Sequence, residues 1–263
     1  MMEPQNSLEE SLHLAANDPA SRPDFYKTLL ESEIFVLGFT DSPEEGLKTL
    51  AEGSKLSIVN WERNDGSKVI PFFTSLKVMQ STLKEETQYV SMPARDFFEL
   101  TKGSDLYLNP NLDYGKEFFP HEIEALLETG INHVVTEHVV QESTRVQLSQ
   151  PADYPVEMIS ALTSLLSRHL MVKAAYLCQM QDLNVDKVPT LVVGFEGDGD
   201  VKEAIKEAGS VVADTAPAGK AVGIIEVKRS DSGVSSYMYE SVDPFYERTW
   251  GAKLRNGLRP GRA

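Results

Sequence analysis

Apolar side chains recur at helical spacing near the start of the chain and then give way to short runs typical of strands. Leu8, Leu12 and Ala15 share one face of a predicted helix that stops before Pro19. A second helix is predicted to begin at Pro23, where the missing N–H costs little. The runs I-F-V-L-G-F, K-V-I-P-F-F and Q-Y-V-S-M-P follow as predicted strands, so the N-terminal half is expected to be α+β.

A proline, two phenylalanines and two hydroxyl residues stand together in V-I-P-F-F-T-S-L, from Val69 to Leu76. Pro71 cannot donate a hydrogen bond to a neighbouring strand, so its strand is expected at a sheet edge or at a bulge. Thr74 or Ser75 is expected to cap the helix that follows. Because hydroxyls at a helix N-terminus can also bind an anion, Thr74 and Ser75 are candidate binding residues as well.

In the C-terminal half the predicted elements follow the order strand, helix, strand, strand, helix, strand. This β-α-β-β-α-β order predicts a ferredoxin-like sandwich as the second of two α+β domains. The boundary is placed in a stretch near residues 132–142, which gives an N-terminal domain of residues 1–138 and a C-terminal domain of residues 139–263. The elements of the second domain are predicted over residues 144–148, 156–169, 172–180, 189–195, 200–208 and 221–228.

An aromatic cluster and a basic tail follow Lys228 without an obvious helix or strand of their own. The aromatic residues are expected to anchor a protein partner or to pack one domain onto the other, since aromatics give a large contact area at modest entropy cost. The tail is expected either to be solvated or to bind an acidic surface. The cluster comprises Tyr237, Tyr239, Phe245, Tyr246 and Trp250, and the tail carries Arg248, Lys253, Arg255, Arg259 and Arg262.

The net charge of −15 over 263 residues argues against a nucleic-acid-binding surface, which needs clustered Lys and Arg. The stretch 1–140 holds 11 basic and 24 acidic residues, so the acidity is concentrated in the N-terminal half. No apolar stretch approaches the roughly 18 residues of a membrane span, and the opening residues lack the basic and apolar regions of a signal peptide. We therefore expect a cytoplasmic protein that binds neither nucleic acid nor membrane.

No motif in the sequence indicates a particular catalytic chemistry. The glycine motifs that bind phosphates or dinucleotides, or present a nucleophilic serine, do not occur, and no two histidines have the spacing of a zinc pair. Asp200 and Glu203 have the spacing of a helix capping box, which explains the stretch F-E-G-D-G-D without a metal. We expect no catalytic residue, no metal and no cofactor. The five histidines are His13, His121, His133, His138 and His169.

Cys178 is the single cysteine of the chain and excludes an internal disulfide. It lies in A-A-Y-L-C-Q-M, inside a predicted strand with apolar neighbours. A reactive thiol is usually found where backbone N–H groups or positive charges lower its pKa. Cys178 is therefore expected to be a buried, inert thiol.

Several of these stretches together resemble the enhanced serine sensitivity protein B (SseB) family of bacteria. They are I-P-F-F-T-S-L and L-Y-L-N-P in the first half, and Q-P-A-D-Y-P, A-A-Y-L-C-Q-M and D-P-F-Y-E-R in the second. The resemblance runs from about Ala20 to about Arg248, and it is close enough to expect the enterobacterial member itself or a close relative. The family is named for altered sensitivity to serine, and the resemblance implies no catalytic residue.

The first functional hypothesis is a non-enzymatic binding or adaptor protein whose loops and C-terminal aromatics contact a protein partner or a small ligand. The candidate binding residues are Thr74, Ser75, Tyr114, Tyr154, Phe245, Tyr246 and Arg248. A narrower form makes the C-terminal domain a sensor of serine, because its element order is shared with small amino-acid-sensing domains. The oligomeric state is left open.

The alternative hypothesis is an enzyme of serine or sulfur metabolism with its site between the two domains. Its candidates are Asp113, Tyr114, Tyr154 and Arg248, polar residues of the predicted loops. An association of the family with sulfurtransferases suggests persulfide chemistry, but the cysteine loop of those enzymes has no counterpart around Cys178. The sequence therefore favours binding over catalysis.

Overall fold

The structure, a computed structural model, describes residues 3–40, 56–83, 85, 87–132, 146–182 and 189–248, without the side chain of residue 182. Two units are distinguished by their internal contacts. The first unit comprises Met1–Asn17 and Ser21–Val134, and the second comprises Asp18–Ala20 and Val135–Ala263. The boundary expected between residues 138 and 139 lies outside the described residues, as do His133, His138, Trp250 and the tail beyond Arg248.

The first unit combines five helices and seven strands in its described part, so it is α+β. Its helices are α1 (Ser7–Asn17), α2 (Arg22–Leu30), α3 (Leu76–Thr82), α4 (Ala94–Leu100) and α5 (Pro120–Thr129). Its strands are β1 (Glu33–Thr40), β2 (Leu56–Ile58), β3 (Trp61–Glu62), β4 (Lys68–Phe73), β5 (Tyr89–Pro93), β6 (Leu106–Leu108) and β7 (Lys116–Phe118). A short 3-10 turn spans Pro19–Ser21.

The strands of the first unit form one sheet in the order β2-β1-β4-β6-β7, with β3 beside β4 and β5 beside β1. Strands β4 and β6 are parallel, whereas the other pairings are antiparallel. Because β4 and β6 run the same way, the residues that follow them, Thr74 and Asn109, emerge at the same edge of the sheet. This edge carries the candidate site described below.

Pro71 lies in an interior strand, so the predicted edge position is wrong. On its antiparallel side, β4 pairs with β3 up to Val69 and with β1 from Phe72. Pro71 falls in the gap between these two partners, while on the other side it stands in register with Tyr107 of β6. The sheet tolerates a proline here because the missing N–H falls where the partner strand changes.

Side chains on the two faces of the first sheet pack into separate clusters, as the alternation of a strand requires. Phe72 points into the larger cluster with helices α1, α2, α4 and α5, whereas Phe73 points into the cluster that α3 covers. Four fully buried phenylalanines dominate the larger cluster, with ring centroids 5.3–6.0 Å apart. They are Phe72, Phe97, Phe98 and Phe118.

The second unit also mixes helices and strands. Its described strands are β8 (Val146–Ser149), β9 (Val172–Asp182), β10 (Thr190–Gly197), β11 (Val222–Glu226) and β12 (Tyr246–Glu247). Its described helices are α6 (Val156–Leu166), α7 (Lys202–Thr215) and α8 (Val234–Ser241). At the start of α7, the Asp200 carboxylate accepts a hydrogen bond from the Lys202 N–H at 2.9 Å.

The predicted element order is present in the second unit, but the ferredoxin-like sandwich is wrong because the strands pair differently. In that fold each β-α-β unit is split by a strand lying between its two parallel members. Here β8 pairs antiparallel with β9 directly, and β10 pairs parallel with β11 directly. Val146 and Gln147 of β8 are exposed. A ferredoxin-like fold would instead place β8 inside the sheet, beside β10.

The segment after Lys228, predicted to lack a helix or strand of its own, forms α8 and β12. Met238 of α8 is fully buried on one face of the sheet with Tyr176 and Cys178, while α6 and α7 cover the other face. Strand β12 pairs with β9 through Tyr246 opposite Ala175. The described members of the aromatic cluster therefore pack against the cores of their own unit.

Alanine substitutions at two glycines of adjacent strands test how closely α8 approaches the sheet. A Cβ at Gly194 in β10 would lie 2.4 Å from Met238 Sδ and 2.4 Å from Val227 Cγ2. Gly194→Ala is therefore expected to lower the free energy of unfolding by about 1–3 kcal/mol. Denaturant unfolding followed by circular dichroism measures the change.

The matched control is Gly223→Ala in β11, where a Cβ would meet nothing within 4 Å. This change is expected to be neutral or to stabilise by up to about 1 kcal/mol, because alanine restricts the unfolded chain. Equal effects of the two substitutions would contradict the close packing of α8 on β10.

Candidate functional site

Thr74 is the residue around which the candidate site is built. Its N–H donates to Asn109 Oδ1 at 3.0 Å, and its carbonyl oxygen accepts from Asn6 Nδ2 at 3.1 Å. Its hydroxyl donates to Glu9 Oε1 at 3.0 Å and accepts from Asn109 Nδ2 at 3.1 Å. Thr74 thus joins the end of β4 to the loop after β6 and to the first turn of α1.

Asn109 reaches Thr74 because its backbone turns sharply after β6. Its φ of 47° lies in the left-handed region, which asparagine enters more readily than most residues. The Asn109 N–H donates to the Phe72 carbonyl at 2.9 Å and continues the parallel pairing for one more bond. The side chain, only 4% exposed, is then directed at Thr74.

Glu9 enters the same cluster from the N-terminal end of α1. Asn6 caps this helix, since its Oδ1 accepts from the Glu9 N–H at 2.8 Å. The Glu9 carboxylate accepts from the Gln5 N–H at 2.8 Å through Oε2, and from Thr74 through Oε1. Only 5% of Glu9 is exposed, so this carboxylate is fixed in a buried position.

A cavity of about 240 Å³ adjoins this cluster within the first unit. Glu9 and Asn109 supply polar groups to its lining, and the rings of His13 and Tyr114 lie in contact at 4.0 Å between centroids. The lining consists of Glu9, Leu12, His13, Val78, Asn109, Leu112, Asp113 and Tyr114. The cavity thus combines a carboxylate and an amide with an aromatic and aliphatic wall.

The chemistry of the cavity is that of hydrogen bonding and charge. Thr74 offers no nucleophile, because its hydroxyl is committed to Glu9 and Asn109 and the residue is 2% exposed. Ser75 caps α3 by accepting from the Val78 N–H at 3.2 Å. The carboxylates of Glu9 and Asp113 can accept hydrogen bonds or hold a positive charge.

Three of the predicted site residues come together here. Thr74 lies behind Glu9 and Asn109, and Tyr114 lies in the wall of the cavity together with Asp113. Ser75, next in the chain, performs the predicted capping role.

The remaining predicted site residues belong to the second unit, where two of them hold its backbone together. The Tyr246 hydroxyl donates to the Leu166 carbonyl at 3.0 Å, and the Arg248 guanidinium donates to the carbonyls of His169 and Leu170. These bonds satisfy carbonyl groups at and beyond the end of α6. Phe245 is half-buried against the core of the unit, and Tyr154, before α6, is 51% exposed.

A second polar network lies beside α8 in the second unit. The buried Glu196 carboxylate accepts from Lys173 Nζ at 2.6 Å and from the Tyr176 hydroxyl at 3.1 Å, and Arg229 Nε lies 3.8 Å away. Burial and the neighbouring Glu196 raise the pKa of the Tyr176 phenol. The Tyr176 and Tyr239 rings meet edge to face at 5.7 Å. The charged and polar groups of this network contact one another, so Glu196 has its partners within the unit.

Cys178 is fully buried between β9 and α8, in the same cluster as Met238. Burial raises the pKa of its thiol to about 11. The thiolate, which is the nucleophilic form, is therefore scarce at neutral pH.

Sequence reasoning missed Glu9, His13 and Asn109 as site residues. Glu9 was hidden because an acidic residue in the first turn of a helix is a common surface feature. The signal for Asn109 was the L-N-P end of its strand, since Asn before Pro favours a turn.

Among the described ranges, no group of three potential metal-ligating side chains occurs. In the same part of the chain, no helix combines the length and apolar character needed to cross a bilayer.

Fold and site together define an α+β protein of two units, with a small polar cavity in the first. The model of the SseB protein N-terminal domain matches residues 8–125, and that of the SseB protein C-terminal domain matches residues 140–248. Protein SseB of Escherichia coli (strain K12) and Protein SseB of Shigella flexneri are each 40% identical to this chain over 256 residues. These alignments cover 97% of this chain and 97% of each relative.

The chain therefore belongs to the SseB family. At this identity it is a relative of the two enterobacterial proteins. No solved structure matches it.

Asn109→Ala tests the strand-end junction. Loss of the amide leaves the buried Thr74 N–H without its partner, which costs about 1–3 kcal/mol. Alanine in the left-handed region adds about 1–2 kcal/mol of strain. Equilibrium unfolding should therefore show a large loss of stability. Asn109→Gly should recover only the part of that loss that comes from strain, because glycine tolerates the left-handed region.

Asn111→Gly provides the control for the junction. Asn111 also has a left-handed φ, of 64°, but its side chain is exposed. The substitution should change the free energy of unfolding by no more than about 0.5 kcal/mol. A loss as large as that of Asn109→Gly would show that the turn, and not the Thr74 contact, is what matters.

The burial of Cys178 predicts that a thiol reagent labels the native protein at neutral pH far more slowly than the unfolded protein. Since the chain has one cysteine, the absorbance of the released thiol product reports on Cys178 alone. Denaturant should make labelling fast. Rapid labelling of the native protein would overturn the assignment of Cys178 as a structural thiol.

Proposed function

We propose that this chain is a non-enzymatic binding protein linked to serine sensitivity, and that the cavity of the first unit is its small-ligand site. The observation that carries the proposal is the position of the cavity at the edge where the parallel strands β4 and β6 end. In open α/β sheets, ligands commonly bind beyond the carboxyl ends of parallel strands, and β4 and β6 form one such parallel pair. A few fixed polar groups within a mainly apolar lining are typical of such sites.

The arrangement of Glu9 and Asn109 supports binding because both side chains are already held in place. Asn109 is oriented by two hydrogen bonds with Thr74, and Glu9 by its bonds to Gln5 and Thr74. Groups that are held before the ligand arrives lose little entropy on binding.

The alternative of a sulfurtransferase-like enzyme finds no support at Cys178. Its thiol is buried beneath α8, and its raised pKa keeps it protonated at neutral pH. An adaptor that presents the C-terminal aromatics is also less favoured, because Tyr239, Phe245 and Tyr246 pack against cores of their own unit. The proposal therefore rests on the first unit.

L-serine is the first ligand to test, because the family is named for sensitivity to it. A thermal-shift titration of the full chain with L-serine should give a saturable rise in the melting temperature. At about a hundred times the dissociation constant, ligand stabilises the native state by about 2.7 kcal/mol. D-serine, L-cysteine and thiosulfate serve as comparisons.

Leu112→Trp is the control that locates binding, since Leu112 is half-buried in the cavity lining and a larger side chain would fill the space. This variant should fold and lose the shift. A shift that survives in Leu112→Trp would move the site out of the cavity. The absence of a shift with every compound at millimolar concentration would contradict the proposed function.

A further inference from the structure

We propose that the ligand of the cavity carries a protonated amine and that Glu9 is the group that binds it. This inference rests on the proposed function and adds the chemical class of the ligand. It is drawn from a comparison of the buried glutamates of this chain.

Three glutamates are buried among the described residues, and two of them have a basic partner. Glu122 lies 3.1 Å from Lys116 Nζ. Glu196 lies 2.6 Å from Lys173 Nζ, with Arg229 at 3.8 Å. Glu9 is as deeply buried as these two, yet within the described ranges no lysine or arginine pairs with it.

A buried carboxylate without a counter-charge is costly, since burial removes the water that would solvate it. Hydrogen bonds from the Thr74 hydroxyl and the Gln5 N–H offset part of that cost. They occupy two of the roughly four lone-pair positions of a carboxylate. Glu9 also lines the cavity, so its remaining acceptor capacity is available to a donor placed there.

The rest of the lining favours a cation over an anion. Asp113 adds a second carboxylate, and no lysine or arginine is among the described lining residues. The ring of Tyr114, in contact with that of His13, forms part of the wall, and the face of a tyrosine ring attracts organic cations. A phosphate or an isolated carboxylate would instead meet two negative charges.

The volume suits a small amine. The cavity provides about 240 Å³ and is partly open to solvent. An amino alcohol or a small amino acid fits this space. In an amino acid the ammonium group would bind Glu9, and the carboxylate would face the amide of Asn109 or the imidazole of His13.

Two matched pairs of compounds test the charge requirement by calorimetric titration of the full chain. Ethanolamine is compared with ethylene glycol, and L-serine with L-glycerate, so that a hydroxyl replaces the ammonium group within each pair. Each amine is expected to bind at least about tenfold more tightly than its partner, a difference of about 1.4 kcal/mol.

Glu9→Gln should weaken binding of ethanolamine by about tenfold or more, because the side chain keeps its shape and loses its charge. The matched control is Glu122→Gln, a buried glutamate that already has Lys116 and does not line the cavity. Its affinity should stay within about twofold of the wild type, after a circular dichroism spectrum shows that each variant is folded.

Asp113→Asn is the second variant, and it tests the preference of the cavity for a cation even if Glu9→Gln fails to fold. Asp113 is exposed, so its loss should weaken ethanolamine binding about threefold without affecting the fold. Tight binding of glycerate or ethylene glycol in the cavity would overturn the amine assignment and leave the binding function standing. Full affinity in the folded Glu9→Gln variant would also overturn the amine assignment and leave the binding function standing. If no compound binds, the amine assignment and the proposed binding function are both overturned.

Discussion

The hydrogen bonds of Thr74 are the constraint on which the first unit's site depends. The backbone of this residue is tied to Asn109 and Asn6, and its hydroxyl lies between the Glu9 carboxylate and the Asn109 amide. Without these bonds the first turn of α1 would lose its polar link to the end of β4, and the loop after β6 would keep only the backbone bond from the Asn109 N–H to Phe72. The buried carboxylate and the neighbouring cavity are therefore consequences of the same junction.

The buried glutamates are accommodated in two ways: Glu122 and Glu196 have basic partners, whereas Glu9 has none within the described ranges. In the second unit Glu196 is surrounded by Lys173, Tyr176 and Arg229, so its charge is compensated by the chain itself. In the first unit Glu9 has hydrogen-bond donors and an adjoining cavity instead. The charge of Glu196 thus has partners within the chain, whereas the ligand that we propose would supply a counter-charge for Glu9. This contrast, more than the cavity alone, directs attention to the first unit.

Local patterns in the sequence were sufficient for most helices and strands, because apolar spacing, caps and prolines act within a few residues. The helices around Leu8 and Phe25, the strand that contains Pro71 and the cap at Ser75 follow from such patterns. Strand pairing did not follow, since the partners of Pro71 and of β8 are set by residues far away in the chain. Helix α8 was missed for a related reason: its short sequence, V-S-S-Y-M-Y-E-S, is stabilised by the packing of Met238 on the sheet.

The candidate site shows the same division between local and distant information. Thr74 was a candidate because its hydroxyl lies beside a predicted helix cap, and Tyr114 because it lies in a turn-rich loop. No local pattern in the sequence connects either residue to Glu9. The cluster forms because Glu9 precedes Thr74 by 65 positions and Asn109 follows it by 35. Capping and the positioning of Glu9 fall to adjacent residues: Ser75 caps α3, and the hydroxyl of Thr74 donates to the Glu9 carboxylate. Because that hydroxyl is hydrogen-bonded to Glu9 and Asn109, Thr74 fixes the position of a carboxylate and does not offer a nucleophile.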